Sequence, residues 1–105
     1  MRFQPLEKLI NLHDGYRRHF RFDALALLLL QDQGEVYLIE PRCPHREHPL
    51  ENARIEHGML ECPLHHYRFA LTDGRLLRAS EESCRNLKTW ALVYEGNEVG
   101  LLLPD

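Results

Sequence analysis

The sequence predicts an all-β domain, and three observations support this fold class. Short apolar runs rich in aliphatic, aromatic and β-branched residues recur in both halves of the chain, as is typical of strands. Turn signals that contain glycine separate neighbouring runs, which favours hairpins. No capped stretch of ten or more residues has the periodicity of a helix. We therefore expect small sheets built from hairpins.

The predicted strands lie on both sides of the middle of the chain. Residues 16–40 contain "YRRHFRF", "ALALLLLQ" and "VYLIE", and "DQGE" at residues 32–35 supplies a turn between the last two. Near the end, "KTWALVYE" and "EVGLLL" flank Gly96 and Asn97 and predict a second hairpin. Residues 5–13 fit either a short helix or a strand.

The middle of the chain, residues 41–74, has a different character. It holds four of the six prolines and five of the seven histidines. Proline fixes φ and lacks an N–H donor, so this stretch predicts loops. Loops held on a rigid scaffold often carry the functional site of a domain.

The composition is that of one domain, which we expect to cover residues 1–105. The chain is 44% hydrophobic and 28% charged, without linkers or repeats. Its net charge of -3 offers no basic field for nucleic acid. The longest apolar run, residues 24–30, is too short for a bilayer span and lies too far along the chain for a signal peptide. We expect a cytoplasmic protein with neither a nucleic-acid nor a membrane partner.

The cysteines indicate metal chemistry rather than cross-linking. There are three of them, an odd number at low density, which does not make a disulfide framework. Two lie in short motifs, Cys43-x-His45 and Cys62-x-x-His65, with 16 residues between His45 and Cys62. A proline directly after each of these cysteines makes the two motifs alike.

Three interpretations compete for these thiols and imidazoles. The residues bind nothing; or they form a closed Cys₂His₂ zinc site that stabilises an interaction module; or they hold an iron–sulfur cluster with two cysteines on one iron and two histidines on the other. Spacing alone does not choose between His65 and His66, because both lie within chelating reach of Cys62.

The stretch "RCPHREHPLENARIEHGMLECPLHHYRFALTDGRLL" resembles the central part of Rieske [2Fe-2S] ferredoxins. The flanking strands are similar too, so the resemblance covers most of the chain. It implies an antiparallel β-sandwich or barrel of small sheets, with a loop-rich cluster-binding subdomain at roughly residues 41–74. It also implies one [2Fe-2S] cluster, with Cys43 and Cys62 on the inner iron and His45 and His65 on the outer iron.

The function that the resemblance implies is electron transfer. A Rieske cluster carries one electron at a time and has no open coordination position, so we expect an electron carrier and not an enzyme. The expected partners are an NAD(P)H-dependent flavin reductase and a terminal oxygenase, and the expected state is a monomer. The alternative within the family is an accessory subunit similar to the small subunit of assimilatory nitrite reductase.

The sequence departs from the high-potential members of this family at three positions. Those members carry a disulfide between the two loops and a serine hydroxyl that donates to the cluster. The matching positions here hold His48, Leu64 and Tyr67. We therefore predict a reduction potential toward the low end of the Rieske range, about -150 mV rather than near +300 mV.

A further departure is His66, which stands where similar ferredoxins place glycine. A glycine there suggests backbone with φ > 0, a conformation that histidine tolerates better than a β-branched residue does. We expect accommodation of His66 rather than a functional contact.

Several other side chains are expected to have structural or solvated roles. Cys84 is expected to be a partly buried thiol and not a ligand. A set of alternating charges is assigned first to a solvated rim and second to a docking surface: Arg42, Arg46, Arg68, Glu40, Glu47 and Glu51. Tyr67 and Phe69 are expected to pack in the core or to shield the cluster.

Overall fold

A computed structural model describes residues 1–104, and in them strands dominate. A single 3₁₀ turn, Leu9–Asn11, follows the first strand. The ten strands are β1 Arg2–Lys8, β2 Arg17–Phe22, β3 Leu25–Asp32, β4 Glu35–Ile39, β5 Arg54–Glu56, β6 Met59–Glu61, β7 Arg68–Ala70, β8 Leu76–Arg78, β9 Val93–Glu95 and β10 Glu98–Leu103.

The strands form three small antiparallel sheets, which confirms the predicted fold class. The sheet orders are β1-β10-β9, β2-β3-β4 and β5-β6-β7-β8. The first sheet joins the two ends of the chain, because β1 pairs with β10 along most of its length. Of residues 5–13, which fitted either a helix or a strand, residues 5–8 form the end of β1 and residues 9–11 form the 3₁₀ turn. Within the described residues, no helix is long and apolar enough to cross a membrane.

The hairpin predicted at residues 32–35 is present between β3 and β4. Gln33 and Gly34 have φ of 49° and 79°, so both central residues take the positive φ that a type I′ turn needs. The hairpin at Gly96 is also present, but its first strand begins at Val93 and not at Lys88. The preceding residues pair elsewhere: Glu40 N–H donates to the Lys88 carbonyl at 3.0 Å.

The middle stretch contains more strand than predicted. The third sheet places β5, β6 and β7 inside residues 41–74, which the sequence assigned to loops. Each of these strands has only three residues, too few for alternation to be visible. Two of the remaining loops carry the Cys-Pro motifs: the first, residues 43–48, follows β4, and the second, residues 62–67, joins β6 to β7.

The apolar run of β3 is explained by burial on both of its faces. Leu28 and Leu30 contribute to a core beneath the two loops. Leu27 and Leu29 contribute to a second core, against the sheet of the chain ends. Successive side chains of a strand point to opposite faces, so β3 is shared by both cores, and the loops stand on the first.

Candidate metal centre

The first loop is a closed turn around the backbone of Cys43. The Cys43 N–H donates to the His48 carbonyl at 2.8 Å, and the Glu47 N–H donates to the Cys43 carbonyl at 2.7 Å. Glu47 has φ of 54°, in the left-handed region. The Cys43 side chain points into the core beneath the loops.

The second loop repeats this turn around Cys62. The Cys62 N–H donates to the Tyr67 carbonyl at 2.8 Å, and the His66 N–H donates to the Cys62 carbonyl at 3.0 Å. His66 has φ of 60°, which confirms the expectation of positive φ at this position. Each loop therefore sets a buried cysteine at its start and a left-handed residue four positions later.

The two buried cysteines lie next to each other. The pKa of the Cys43 thiol is raised to about 11: burial raises it most, the contact with the Cys62 thiol also raises it, and backbone N–H donors lower it. A pair of thiolates in an apolar core needs a cation to balance it. Cys84, by contrast, is a partly buried thiol at the edge of the same core, as expected.

The structure brings together His45 of the first loop and His65 of the second loop. Their ring centroids are 5.2 Å apart. The His45 ring stacks on Tyr67, with centroids 4.1 Å apart and planes 11° apart, and only 3% of its side chain is exposed. The His65 side chain is 35% exposed. Of the two imidazoles, His65 is therefore the one that reaches the surface.

His66 takes a different direction from its neighbour. Its Nδ1 lies 3.1 Å from Glu61 Oε2, and 69% of the side chain is exposed. Glu61 also accepts a hydrogen bond from Arg68 Nε at 2.8 Å, and these two partners lower the pKa of the Glu61 carboxyl, Arg68 more than His66. His66 thus belongs to a surface ion-pair group.

A third segment completes the site, and sequence reasoning missed it. Residues 79–84, which we call the covering segment, pass over both loops. The Ser80 hydroxyl donates to the His65 carbonyl, and the Tyr67 hydroxyl donates to the Glu82 carbonyl. Between them, Glu81 Oε1 lies 3.5 Å from His45 Nε2 and 3.7 Å from His65 Nδ1. The sequence "SEES" has no donor spacing that could have indicated this contact.

Glu40 anchors the chain after the covering segment, so its assignment to a solvated rim is wrong. It is only 8% exposed. Its two carboxylate oxygens accept from the two terminal nitrogens of Arg85, each at 2.7 Å, and Oε2 also accepts from the Lys88 N–H at 2.6 Å. A buried carboxylate requires such partners, and residue spacing does not reveal a partner 45 positions away.

Two similar loops between small sheets carry the buried cysteines and the adjacent imidazoles. This arrangement defines a class of β domain built around a metal centre. Comparison with known proteins identifies the family. The model of the Rieske [2Fe-2S] domain matches residues 3–91, and the chain belongs to that family. The family defines the cofactor as one [2Fe-2S] cluster.

Individual relatives agree with this membership. The chain is 34% identical over 77 residues to the ferredoxin component of a naphthalene 1,2-dioxygenase system from Pseudomonas aeruginosa, covering 73% of this chain and 72% of the relative. It is 25% identical over 89 residues to the ferredoxin component of biphenyl 2,3-dioxygenase from Rhodococcus jostii, covering 85% and 81%. The Sphingomonas yanoikuyae B1 ferredoxin has the same fold, with a TM-score of 0.82 at 21% identity over 98% of this chain and 100% of the other.

The residues present fit such a cluster. Two thiols lie buried and in contact, and two imidazoles lie beside each other. This is the mixed donor set of a Rieske centre, in which two histidines replace two cysteines on one iron. Closed turns over each cysteine hold the backbone of the two loops.

Proposed function

We propose that this protein is a one-electron carrier in the cytoplasm, which accepts electrons from an NAD(P)H-dependent flavin reductase and delivers them to a terminal oxygenase. The observation that carries the proposal is the different burial of the candidate ligands: the thiols of Cys43 and Cys62 are buried, and the His65 side chain is partly exposed. The relatives named as ferredoxin components of dioxygenase systems support the same role.

Within this proposal, Cys43 and Cys62 hold the inner iron, and His45 and His65 hold the outer iron. The bound cluster supplies a centre that gains and loses a single electron. The contact between the cysteine side chains and the proximity of the imidazoles support this assignment. The closed turns and the stacking of His45 on Tyr67 hold these side chains in one arrangement, which would limit rearrangement when an electron is gained or lost.

Exposed groups around His65 provide the surface on which a partner would dock. Leu64, which precedes it, is 46% exposed, and Pro63 is also exposed. An apolar contact beside a partly exposed imidazole brings a partner close to the centre while excluding water from the junction. We propose that the partners bind at this end of the molecule in turn, and that the carrier itself is a monomer.

The function is tested by spectroscopy and by electron counting. The purified protein should be brown, with visible absorption that bleaches on dithionite reduction and a Rieske-type EPR signal. With NADH and a catalytic amount of a ferredoxin reductase, it should take up one electron per chain and return it to a Rieske oxygenase. A colourless protein that contains zinc would contradict the proposal. Purification only as a stoichiometric subunit of a larger enzyme would favour the accessory-subunit alternative.

The ligand assignment has its own test, in which adjacent histidines serve as variant and control. His65→Ala should abolish or transform the cluster spectrum, because an imidazole ligand is lost. His66→Gly should leave the spectrum largely intact, since glycine accepts the same φ without strain. Iron content, visible circular dichroism and EPR of the two variants measure the difference. The reverse outcome would place the ligand one residue later.

A further inference from the structure

Glu81 lies against both imidazoles, although nothing in the donor set of the cluster requires a carboxylate. Its Oε1 atom is 3.5 Å from His45 Nε2 and 3.7 Å from His65 Nδ1. The side chain is 47% exposed, so it stands between the site and solvent.

The position of Glu81 is fixed from both sides of the backbone. Ser80, immediately before it, donates its hydroxyl to the His65 carbonyl. The Glu82 carbonyl, immediately after it, accepts from the Tyr67 hydroxyl. Both bonds reach the second loop, so the loop that carries His65 also holds the segment that carries Glu81. Such double anchoring distinguishes Glu81 from an ordinary surface glutamate.

The carboxylate and the two ring nitrogens form a group whose atoms lie within 4.8 Å of one another. Two histidines and one carboxylate are also the donor set of mononuclear iron sites. That interpretation leaves the two buried cysteines without a role, whereas Cys43 and Cys62 are in contact directly beneath the same loops. Glu81 is therefore better described as a neighbour of the histidines than as a metal ligand.

We propose that Glu81 lowers the reduction potential of the centre through its negative charge beside the two histidines. This inference rests on the proposed function, because it needs a cluster at the four ligands. A negative charge beside the histidines makes the addition of an electron less favourable.

The test compares Glu81→Gln with Glu82→Gln in the cluster-loaded protein. Both substitutions remove one charge from the covering segment, but only Glu81 has its carboxylate against the imidazoles. An anaerobic redox titration at pH 7, followed by EPR, measures the midpoint of each. For Glu81→Gln, we expect the ratio of reduced to oxidised protein at fixed potential to rise by roughly tenfold, which is about 59 mV for one electron.

Glu82→Gln should shift the midpoint by less than half as much as Glu81→Gln does. Glu81→Asp keeps the charge, so its midpoint should lie closer to that of the unsubstituted protein than the midpoint of Glu81→Gln does. The Glu81→Gln shift should shrink at high salt, because the carboxylate is half exposed. The EPR g values should remain those of the unsubstituted protein, since no ligand changes.

Three outcomes would overturn the inference. Equal shifts in the two glutamine variants would mean a general charge effect, and an unmoved midpoint in Glu81→Gln would mean no effect on the centre. Loss of the cluster or new g values in Glu81→Gln would make Glu81 a ligand. These results differ from failure of the proposed function, which would be seen as the absence of a Rieske signal in the unsubstituted protein.

Discussion

At the residue scale, each of the two loops is closed by a residue in an unfavourable backbone conformation. Glu47 and His66 have φ of 54° and 60°, a region that costs a residue other than glycine about 1–2 kcal/mol. Each N–H donates to the carbonyl of the cysteine four positions earlier, which keeps the conformation in place. Strain of this kind is common where a site must be held rigidly.

Another residue far along the chain from the loops, Glu7, carries a pH-dependent part of the stability. Its carboxylate accepts from the Asn11 amide at 2.9 Å, the Tyr16 hydroxyl at 2.8 Å and the Lys8 N–H at 2.8 Å. These hydrogen bonds lower the pKa of Glu7 to about 2 from 4.5, the Asn11 bond most. Because the folded pKa lies below the unfolded one, the stabilisation is complete above pH 4.5 and is lost as the pH falls toward 2.

We predict that Glu7→Gln lowers the thermal midpoint by a constant amount from pH 9 to about pH 5.5, and that the difference narrows below about pH 4.5. Circular dichroism melts across this range measure it. Glu35→Gln is the matched control, because Glu35 is an exposed glutamate at the start of β4. A Glu7→Gln difference that widened toward acid would contradict the assignment.

At the scale of elements, the turn before β8 depends on a glycine for two separate reasons. Gly74 has φ of +78°, and a Cβ there would lie 1.9 Å from the Leu87 carbonyl oxygen. The Leu87 N–H also donates to the Gly74 carbonyl at 2.8 Å, so the two backbones are held in contact. This contact joins the third sheet to the chain that follows the covering segment.

We predict that Gly74→Ala destabilises the protein more than Gly58→Ala does. Gly58 has nearly the same φ, +74°, but nothing lies within 4 Å of its added Cβ. Gly58→Ala should therefore lower the free energy of unfolding only through the unfavourable φ of alanine, by about 1–2 kcal/mol. Gly74→Ala should lower it by roughly 1–3 kcal/mol more, because the added Cβ displaces the backbone of Leu87. Urea unfolding of the two variants gives the comparison, and equal losses would show that the close contact does not matter.

Elements with local signals were predictable, and those fixed by distant contacts were not. The β3–β4 hairpin was visible because Gln33-Gly34 supplies a turn between two long apolar runs. The three-residue strands β5, β6 and β7 carry no readable alternation, and residues 88–90 leave the predicted strand to pair with the end of β4. The covering segment and the Glu40–Arg85 pair likewise depend on partners that chain spacing does not show.

The candidate site was more predictable than the strands around it. The two Cys-Pro motifs indicated a metal centre by donor type and spacing, and the family resemblance selected His65 over His66. The structure places His65 beside His45 and turns His66 toward Glu61. The role of Glu81 could not be predicted, because a lone glutamate in a polar stretch has no signature until the fold brings it to the imidazoles.

At the scale of the whole molecule, one core lies at the metal centre and the other stabilises the scaffold. The core beneath the loops holds Cys43 and Cys62, whereas the second core joins the chain ends to the other face of β3. Strands near the chain ends therefore stabilise the scaffold without contacting the centre. Glu7 belongs to this supporting half, so Glu7→Gln should change the melting temperature and leave the EPR spectrum unchanged.

The whole arrangement also determines the potential of the centre. All three cysteines are free among the described residues, so no disulfide joins the loops. The Tyr67 hydroxyl, at the position where high-potential relatives place a donor to the cluster, donates instead to the Glu82 carbonyl. The engaged Tyr67 hydroxyl, the carboxylate beside the histidines and the net charge of -3 all disfavour the added electron. We predict a midpoint of about -150 mV in a redox titration, and a strongly positive midpoint would contradict this prediction.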